Sequence, residues 1–259
     1  MKEVIFIQVF ICSEKGSRKD NQDSVFFNQY VINSDDFLSM ELNYEKDNNS
    51  SLFGIFDGAG GQEGGKRVSV SCAKALKNYY LEKKVIFQND LRQFLQTLNW
   101  SVCQENQELD EMGASTATIG IIDKESILHL WNIGDSPAYL FRAGKVDLIS
   151  ELHNLAGIKL QRGEITHNEY DHMTEESSLL LGCIGCEDEI FNEYLYYDEI
   201  KLKKKDILLI CSDGLEQVVG RKRLYRLIQS HQIRKLNNII KRSCDILDSD
   251  NSSYVLIYF

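Results

Sequence analysis

Ser51-Leu52-Phe53-Gly54-Ile55-Phe56-Asp57-Gly58-Ala59-Gly60-Gly61 is an apolar run with large side chains that stops at an aspartate followed by glycines. Residues 51–56 read as a strand, so Asp57 stands where the chain leaves its sheet and its carboxylate reaches the rim. The glycines let backbone amides and carbonyls approach whatever that carboxylate holds. Asp-Gly is equally an ordinary turn signal. Other aspartates placed in the same way decide between the two readings.

Three recur. Asp213 ends the apolar run 206–212 and precedes Gly214, and Asp135 sits in Asn132-Ile133-Gly134-Asp135-Ser136 between two strand-like segments. Asp250 precedes Asn251 at the start of the very apolar C-terminal run. An aspartate held at the end of a buried strand is destabilising unless something pairs it. No matching set of Arg or His stands at these strand ends to neutralise all four. A divalent cation that prefers oxygen ligands resolves the problem, and carboxylates with carbonyls suit Mg²⁺ or Mn²⁺ better than Zn²⁺.

The 259 residues can bury a large core, and with a single proline, Pro137, they are expected to form one domain over 1–259. The net charge of −10 disfavours nucleic acid as a partner but suits a site that gathers carboxylates around a metal. The seven cysteines are scattered and odd in number, as expected of reduced intracellular thiols. Cys183-Ile184-Gly185-Cys186, with His167 and His172 upstream, makes a zinc site conceivable, but no second Cys pair accompanies it and buried thiols are the better reading. The apolar start reads as a first strand, not as a signal or membrane span. A cytoplasmic monomer without membrane contact is expected.

Along the chain, residues 24–32 read as a strand and 33–50 as an irregular polar excursion or a hairpin tip. From Gln62 the period becomes helical: Val68, Cys72, Leu76 and Tyr79 share one face, and Leu91, Leu95, Leu98 and Val102 share a face in a second helix. Strands follow at 116–122, 126–131, 137–142 and 146–149, joined by turns at 123–124 and 143–145. Residues 151–190 are mixed, with helical pieces at 155–161 and 167–171. Strands at 193–202 and 206–211, a helical region over 215–247 and a last strand at 254–259 complete the chain. Hairpin strands with helices grouped between them predict an α+β fold of two stacked antiparallel sheets flanked by helix pairs.

The segments GSRKDNQD (16–23), FGIFDGAGG (53–61), GASTAT (113–118), NIGDS (132–136), LLICSDGL (208–215) and DNSSYVLIYF (250–259) resemble, in order and spacing, the PPM family of metal-dependent protein phosphatases, the type-2C phosphatases. The resemblance covers essentially the whole chain and is nearest the compact bacterial-type members. It implies hydrolysis of phosphoserine or phosphothreonine in proteins, with a cognate Ser/Thr kinase as a further partner. It also implies two Mn²⁺ or Mg²⁺ ions and a weaker third. Carried over by position, Asp57 bridges two metals, the Gly58 carbonyl binds one, and Asp213 and Asp250 complete the other. Asp23 holds metal-bound waters, Asp135 serves the additional metal, and Arg18 clamps the substrate phosphate.

Several positions depart from that pattern. Gln22 stands where a glutamate is frequent, Ala59 where eukaryotic members carry a proposed general-acid histidine, and Leu152-His153 where Asp-His is common. Pro137 replaces an arginine and Ser253 a threonine. A regulatory or binding module of the same fold with little turnover is therefore an alternative, as is an enzyme acting on small phosphoesters. A rival of another class is a P-loop, since 60–66 match GxxxxGK, although Arg67 stands where the Mg²⁺-binding Ser/Thr is required.

Overall fold

The computed structural model describes residues 6–45, 50–60, 62–83, 88–170, 172–173 and 179–259. Residues 47–49, whose Asp-Asn-Asn sequence predicts a turn, together with Gly61 and Asp171, lie outside these. The chain opens with β1 (Phe6–Glu14), β2 (Asp23–Phe27), β3 (Tyr30–Ile32), β4 (Leu38–Glu45) and β5 (Ser51–Ala59). Two long helices follow, α1 (Gln62–Glu82) and α2 (Gln88–Leu109). Next come β6 (Ala114–Ser115), β7 (Ala117–Ile122), β8 (Ile127–Ile133), β9 (Ala138–Arg142) and β10 (Lys145–Leu148). After the short helices α3 (Leu155–Gln161), α4 (His167–Tyr170) and α5 (Asp188–Tyr194) run β11 (Tyr196–Lys201) and β12 (Ile207–Cys211). Helices α6 (Asp213–Val219), α7 (Arg221–Gln229) and α8 (Ile233–Lys241) lead to β13 (Ser252–Tyr258).

The strands form two antiparallel sheets, ordered β10-β9-β12-β13-β1-β4 and β11-β8-β7-β5-β2-β3, with β6 on β5. Alternation explains the layers. Val9, Ile11, Leu208, Ile210, Val255 and Ile257 of the first sheet meet Val25, Phe27, Phe53, Ile55, Leu128 and Leu130 of the second in one buried cluster. The opposite faces are covered by helices. Phe26, Leu52 and Phe56 pack with Val68, Leu76, Leu91 and Leu95 of α1 and α2. Tyr139, Leu209, Tyr254 and Leu256 pack with Leu215, Leu224 and Leu236 of α6, α7 and α8. This is the expected α+β sandwich, and the apolar β13 lies inside it between β1 and β12. Among the described residues no helix is long and apolar enough to cross a membrane.

Four local expectations are corrected. Residues 24–32 are a hairpin rather than one strand, because Asn28 adopts φ 51° and turns β2 back onto β3. The excursion at 33–50 contains β4, whose Leu38, Met40 and Leu42 pack against the inter-sheet core while Glu41 and Asn43 face solvent. A helix, α5, occupies 188–194, so the strand expected from 193 starts at Tyr196. The region 215–247 holds three helices, with Gly220 at φ 78° between α6 and α7.

Candidate active site

Strand parity places the polar residues. Val25, Ile55, Ile11, Ile210 and Val255 point between the sheets. Asp23, Asp57, Ser13, Ser212 and Ser253 each lie two residues away on the same strand path and continue that face past the apolar layer. They meet at one end of the sandwich. Asp23 and Asp57 are cross-strand partners on β2 and β5. Ser212 donates its hydroxyl to Asp23 Oδ2 at 2.8 Å and accepts the Ser253 amide at 2.9 Å. Ser13 and Ser253 share a 2.9 Å hydrogen bond, and Asn21 donates to Ser13. Sequence reading noted Ser253 only as a departure from the family pattern and overlooked Ser13 and Ser212, although their alternation with buried apolar residues was a usable signal.

Above this polar end opens a cleft of about 980 Å³. Arg18, Asp57, Gly58, Asp135, Asp213 and Asp250 all line it, while Asp23 lies buried beneath. The structure thus brings every expected site residue to one place. Asp57 is held through its backbone: its amide donates to Thr116 Oγ1 at 3.0 Å and its carbonyl accepts the Thr116 amide at 2.8 Å. Gly58 has a packing reason to lack a side chain, since a Cβ there would lie 2.4 Å from the Gly65 carbonyl oxygen of α1. Asp213 opens α6, Gln217 bonds its Oδ2 at 2.9 Å, and the Ser212 hydroxyl serves Asp23 instead of capping the helix. Asn251 fixes the loop beside Asp250, accepting the Gln22 amide and donating to the Lys15 carbonyl.

The electrostatics are those of a carboxylate ring without enough cations. Burial pushes the Asp57 carboxyl well above its ordinary range, and Asp23, Asp213, Asp135 and Asp250 push it further. Asp213 rises for the same two reasons, Asp135 rises through burial, and Asp23 is raised to about 6, burial being the main cause. Asp23 Oδ1 is buried with no hydrogen-bond donor. Among the described residues no three His, Cys, Asp or Glu side chains stand as a group that could grip a metal as placed. The carboxylates ring the cleft rather than converge on one point. A donor set of hard oxygens around an orphaned buried carboxylate oxygen nonetheless fits Mg²⁺ or Mn²⁺.

Arg18, expected to clamp the substrate phosphate, is paired here with a carboxylate. Its Nε donates to Asp250 Oδ1 at 3.1 Å and its Nη2 to Asp250 Oδ2 at 2.9 Å, so one of the four strand-end aspartates does have an arginine partner. The cleft's far wall was not foreseen. Arg221 forks Glu216 at 3.1 and 2.9 Å, Tyr139 donates to Glu216 at 2.6 Å, and the guanidinium sits 4.9 Å from the centre of the Tyr170 ring. Tyr139 and Tyr170 are far in sequence from the Glu216–Arg221 pair, so no local pattern announces the cluster.

The residues of the two rival motifs are engaged elsewhere. Lys66 bonds Asp35 at 2.8 and 3.1 Å, and β5 runs antiparallel to both β2 and β7, so no phosphate-binding βαβ unit exists there. Cys183 and Cys186 are half-buried rather than buried, the Cys186 thiol donates to the Cys183 carbonyl at 2.7 Å, and Cys103 donates to the Cys186 carbonyl. His153 is buried, its Nδ1 accepting the Gly134 amide at 2.9 Å.

A family profile described as Protein phosphatase 2C matches residues 7–158, more than half of the chain. The chain belongs to the protein phosphatase 2C family. It is similar to the serine/threonine phosphatase stp of Listeria monocytogenes, 24% identical over 222 residues, with 83% of this chain and 86% of that protein covered. Among solved structures, the PPM Ser-Thr phosphatase MsPP of Mycobacterium smegmatis in complex with cacodylate superposes with a TM-score of 0.74 at 22% identity, covering 97% of each chain. The catalytic domain of the phosphatase PstP in complex with two manganese ions gives 0.73 at 19% identity, covering 98% of this chain and 99% of that one. At such identities the structural likeness speaks for the fold, which is the two-sheet sandwich described above.

Proposed function

We propose that this protein hydrolyses phosphoserine and phosphothreonine in proteins, with Mn²⁺ or Mg²⁺ held by Asp57, the Gly58 carbonyl, Asp213 and Asp250. Asp23 supports these from beneath and Asp135 provides a further, weaker position. The observation that carries the reading is the convergence of these carboxylates from β2, β5, α6 and the start of β13 on one cleft. Two bound divalent ions supply Lewis acidity there, lowering the pKa of water and reversing a local field that would otherwise repel a phosphate dianion.

The chain's own groups supply the rest. Asp57, its backbone fixed by two hydrogen bonds to Thr116, offers the cleft a carboxylate on an anchored main chain. Arg18 presents a planar fork that fits two phosphate oxygens as well as it fits the two oxygens of Asp250. Its side chain is 56% exposed, so turning to a phosphate needs no repacking once Asp250 is engaged elsewhere. Ala59 lines the cleft and offers no titratable group, so this position supplies no general acid for the leaving alkoxide. The test is hydrolysis of an aryl phosphate with and without Mn²⁺, by the wild type, Asp57→Asn and Asp213→Asn. Metal-dependent turnover that falls by orders of magnitude in both variants is expected. Equal rates without metal, or unchanged variants, would remove the assignment.

A further inference from the structure

Asp135, like Asp213 with Gln217, is met by a neutral side-chain amide, but its partner comes from a distant segment and is buried. Asp250 is forked by a cation, and Asp23 is bonded by a serine from the polar end of the core. Asp135 Oδ2 instead accepts from Asn154 Nδ2 at 3.0 Å. Asn154 is 1% exposed, and both its amide oxygen and its amide nitrogen are bonded. Its Oδ1 accepts the Gly157 amide at 2.7 Å and so caps α3, which assigns the amide orientation: Nδ2 must be the group facing Asp135. Tyr170, at the end of α4, lines the same cleft as Asn154. The backbone around Asn154 is pinned as well, since His153 exchanges hydrogen bonds with Gly134 and Asn154 bridges Leu180.

We infer that Asn154 is a positioning residue: it holds Asp135 toward the cleft as a metal ligand and ties that carboxylate to α3. The inference rests on the reading of Asp135 as a ligand given above. The physical reason for an amide at this point is its neutrality. A guanidinium or ammonium would orient Asp135 equally well but would cancel the charge a cation needs. A neutral donor fixes one oxygen, leaves the other free and leaves the charge intact. A partner that orients a metal-binding carboxylate in this way typically changes affinity by about 10–100-fold when removed.

Calorimetric titration with Mn²⁺ of the wild type, Asn154→Ser and Asp135→Asn tests the inference, with thermal melts in chelator alongside. Serine still caps α3 but is too short to reach Asp135. Asn154→Ser is expected to keep the tighter Mn²⁺ sites within about two-fold and to weaken the weakest site about 10–100-fold, with a melting temperature close to wild type. Asp135→Asn is expected to abolish that weakest site. If Asp135→Asn abolishes it while Asn154→Ser leaves it unchanged, the positioning role is overturned and the ligand reading stands. If Asp135→Asn changes no Mn²⁺ binding, the ligand reading itself falls, and the positioning role with it. Should Asn154→Ser fold poorly, Asn154→Thr also keeps a cap for α3 and is likewise too short to reach Asp135. The weakest site must then weaken about 10–100-fold, and an unchanged affinity overturns the inference.

Discussion

At the scale of single residues, Arg18 and His153 show how magnitudes decide between effects. Arg18 pairs with Asp250, but the pair is solvent-exposed, and such pairs contribute about 0–1 kcal/mol. A charge-assisted bond to a phosphate in the cleft is worth about 1.5–3 kcal/mol. Arg18→Ala should therefore tighten Mn²⁺ binding by only a few-fold, through release of Asp250, while lowering kcat/KM by roughly 10–100-fold, mostly through KM. Parallel Mn²⁺ titrations and steady-state kinetics on an aryl phosphate check both directions. His153 is a separate case. Burial lowers its pKa to about 4, against an ordinary 6.5, even though the half-exposed Glu151 carboxylate lies 3.5 Å from Nε2 and pulls the other way. The folded state thus binds fewer protons than the unfolded chain between these values. Stability is fully present above pH 6.5 and is lost as pH falls toward 4, by about 3 kcal/mol at most. His153→Asn keeps an acceptor for the Gly134 amide and does not titrate. The wild-type minus variant difference in unfolding free energy, measured in chelator, should shrink with that sign and within that window.

At the scale of elements, the close contacts are where backbone geometry sets the site. Gly214, the second residue of α6, lies where an added Cβ would be 2.0 Å from the Asn251 carbonyl oxygen. The start of α6 and the start of β13 touch there backbone to backbone, which brings Asp213 and Asp250 to the same cleft. Gly214→Ala must push the two apart. A loss of about 1–3 kcal/mol in unfolding free energy is expected, together with weaker Mn²⁺ binding, read by denaturant titration and calorimetry. Much of this scale was legible beforehand. The helical periods of α1 and α2, the β7–β8 and β9–β10 hairpins and the central place of β13 follow from apolar spacing alone. β4 was not recognised, although Leu38, Met40 and Leu42 alternate, because the surrounding Asn, Asp and Ser outweigh the signal of an edge strand with one polar face. The β2–β3 turn was missed because Asn28 takes a left-handed conformation without the glycine that usually signals it. The carboxylates of the site were legible because each ends an apolar strand. Asn154, Tyr170, Glu216 and Arg221 were not, because their roles come from contacts between segments that only the folded chain brings together.

At the scale of the whole molecule, the sandwich ends in a ring of like charges that the fold tolerates rather than prefers. Asp57, Asp213 and Asp135 are raised above their ordinary range chiefly by burial, with mutual repulsion adding to Asp57 and Asp213. For a carboxylate whose folded-state pKa is raised, the folded protein binds more protons than the unfolded chain. Near neutral pH, above the unfolded value, this means a loss of stability in the absence of a cation. Replacing Asp57 by asparagine keeps the size and removes one such charge. In chelator at neutral pH, Asp57→Asn should therefore melt at a higher temperature than the wild type. With Mn²⁺ the order should reverse. A ligand at about 100 times its Kd stabilises the folded state by about 2.7 kcal/mol, which for a domain of this size corresponds to a rise of roughly 5–10 °C. The wild type should show that rise, and Asp57→Asn, without the carboxylate proposed to bridge both metals, should show little of it. Calorimetric melts of the two proteins, each with chelator and with Mn²⁺, read all four values. A variant that is less stable than wild type in chelator would mean that Asp57 is satisfied by the protein itself, and the ring of carboxylates would then need no metal to explain it.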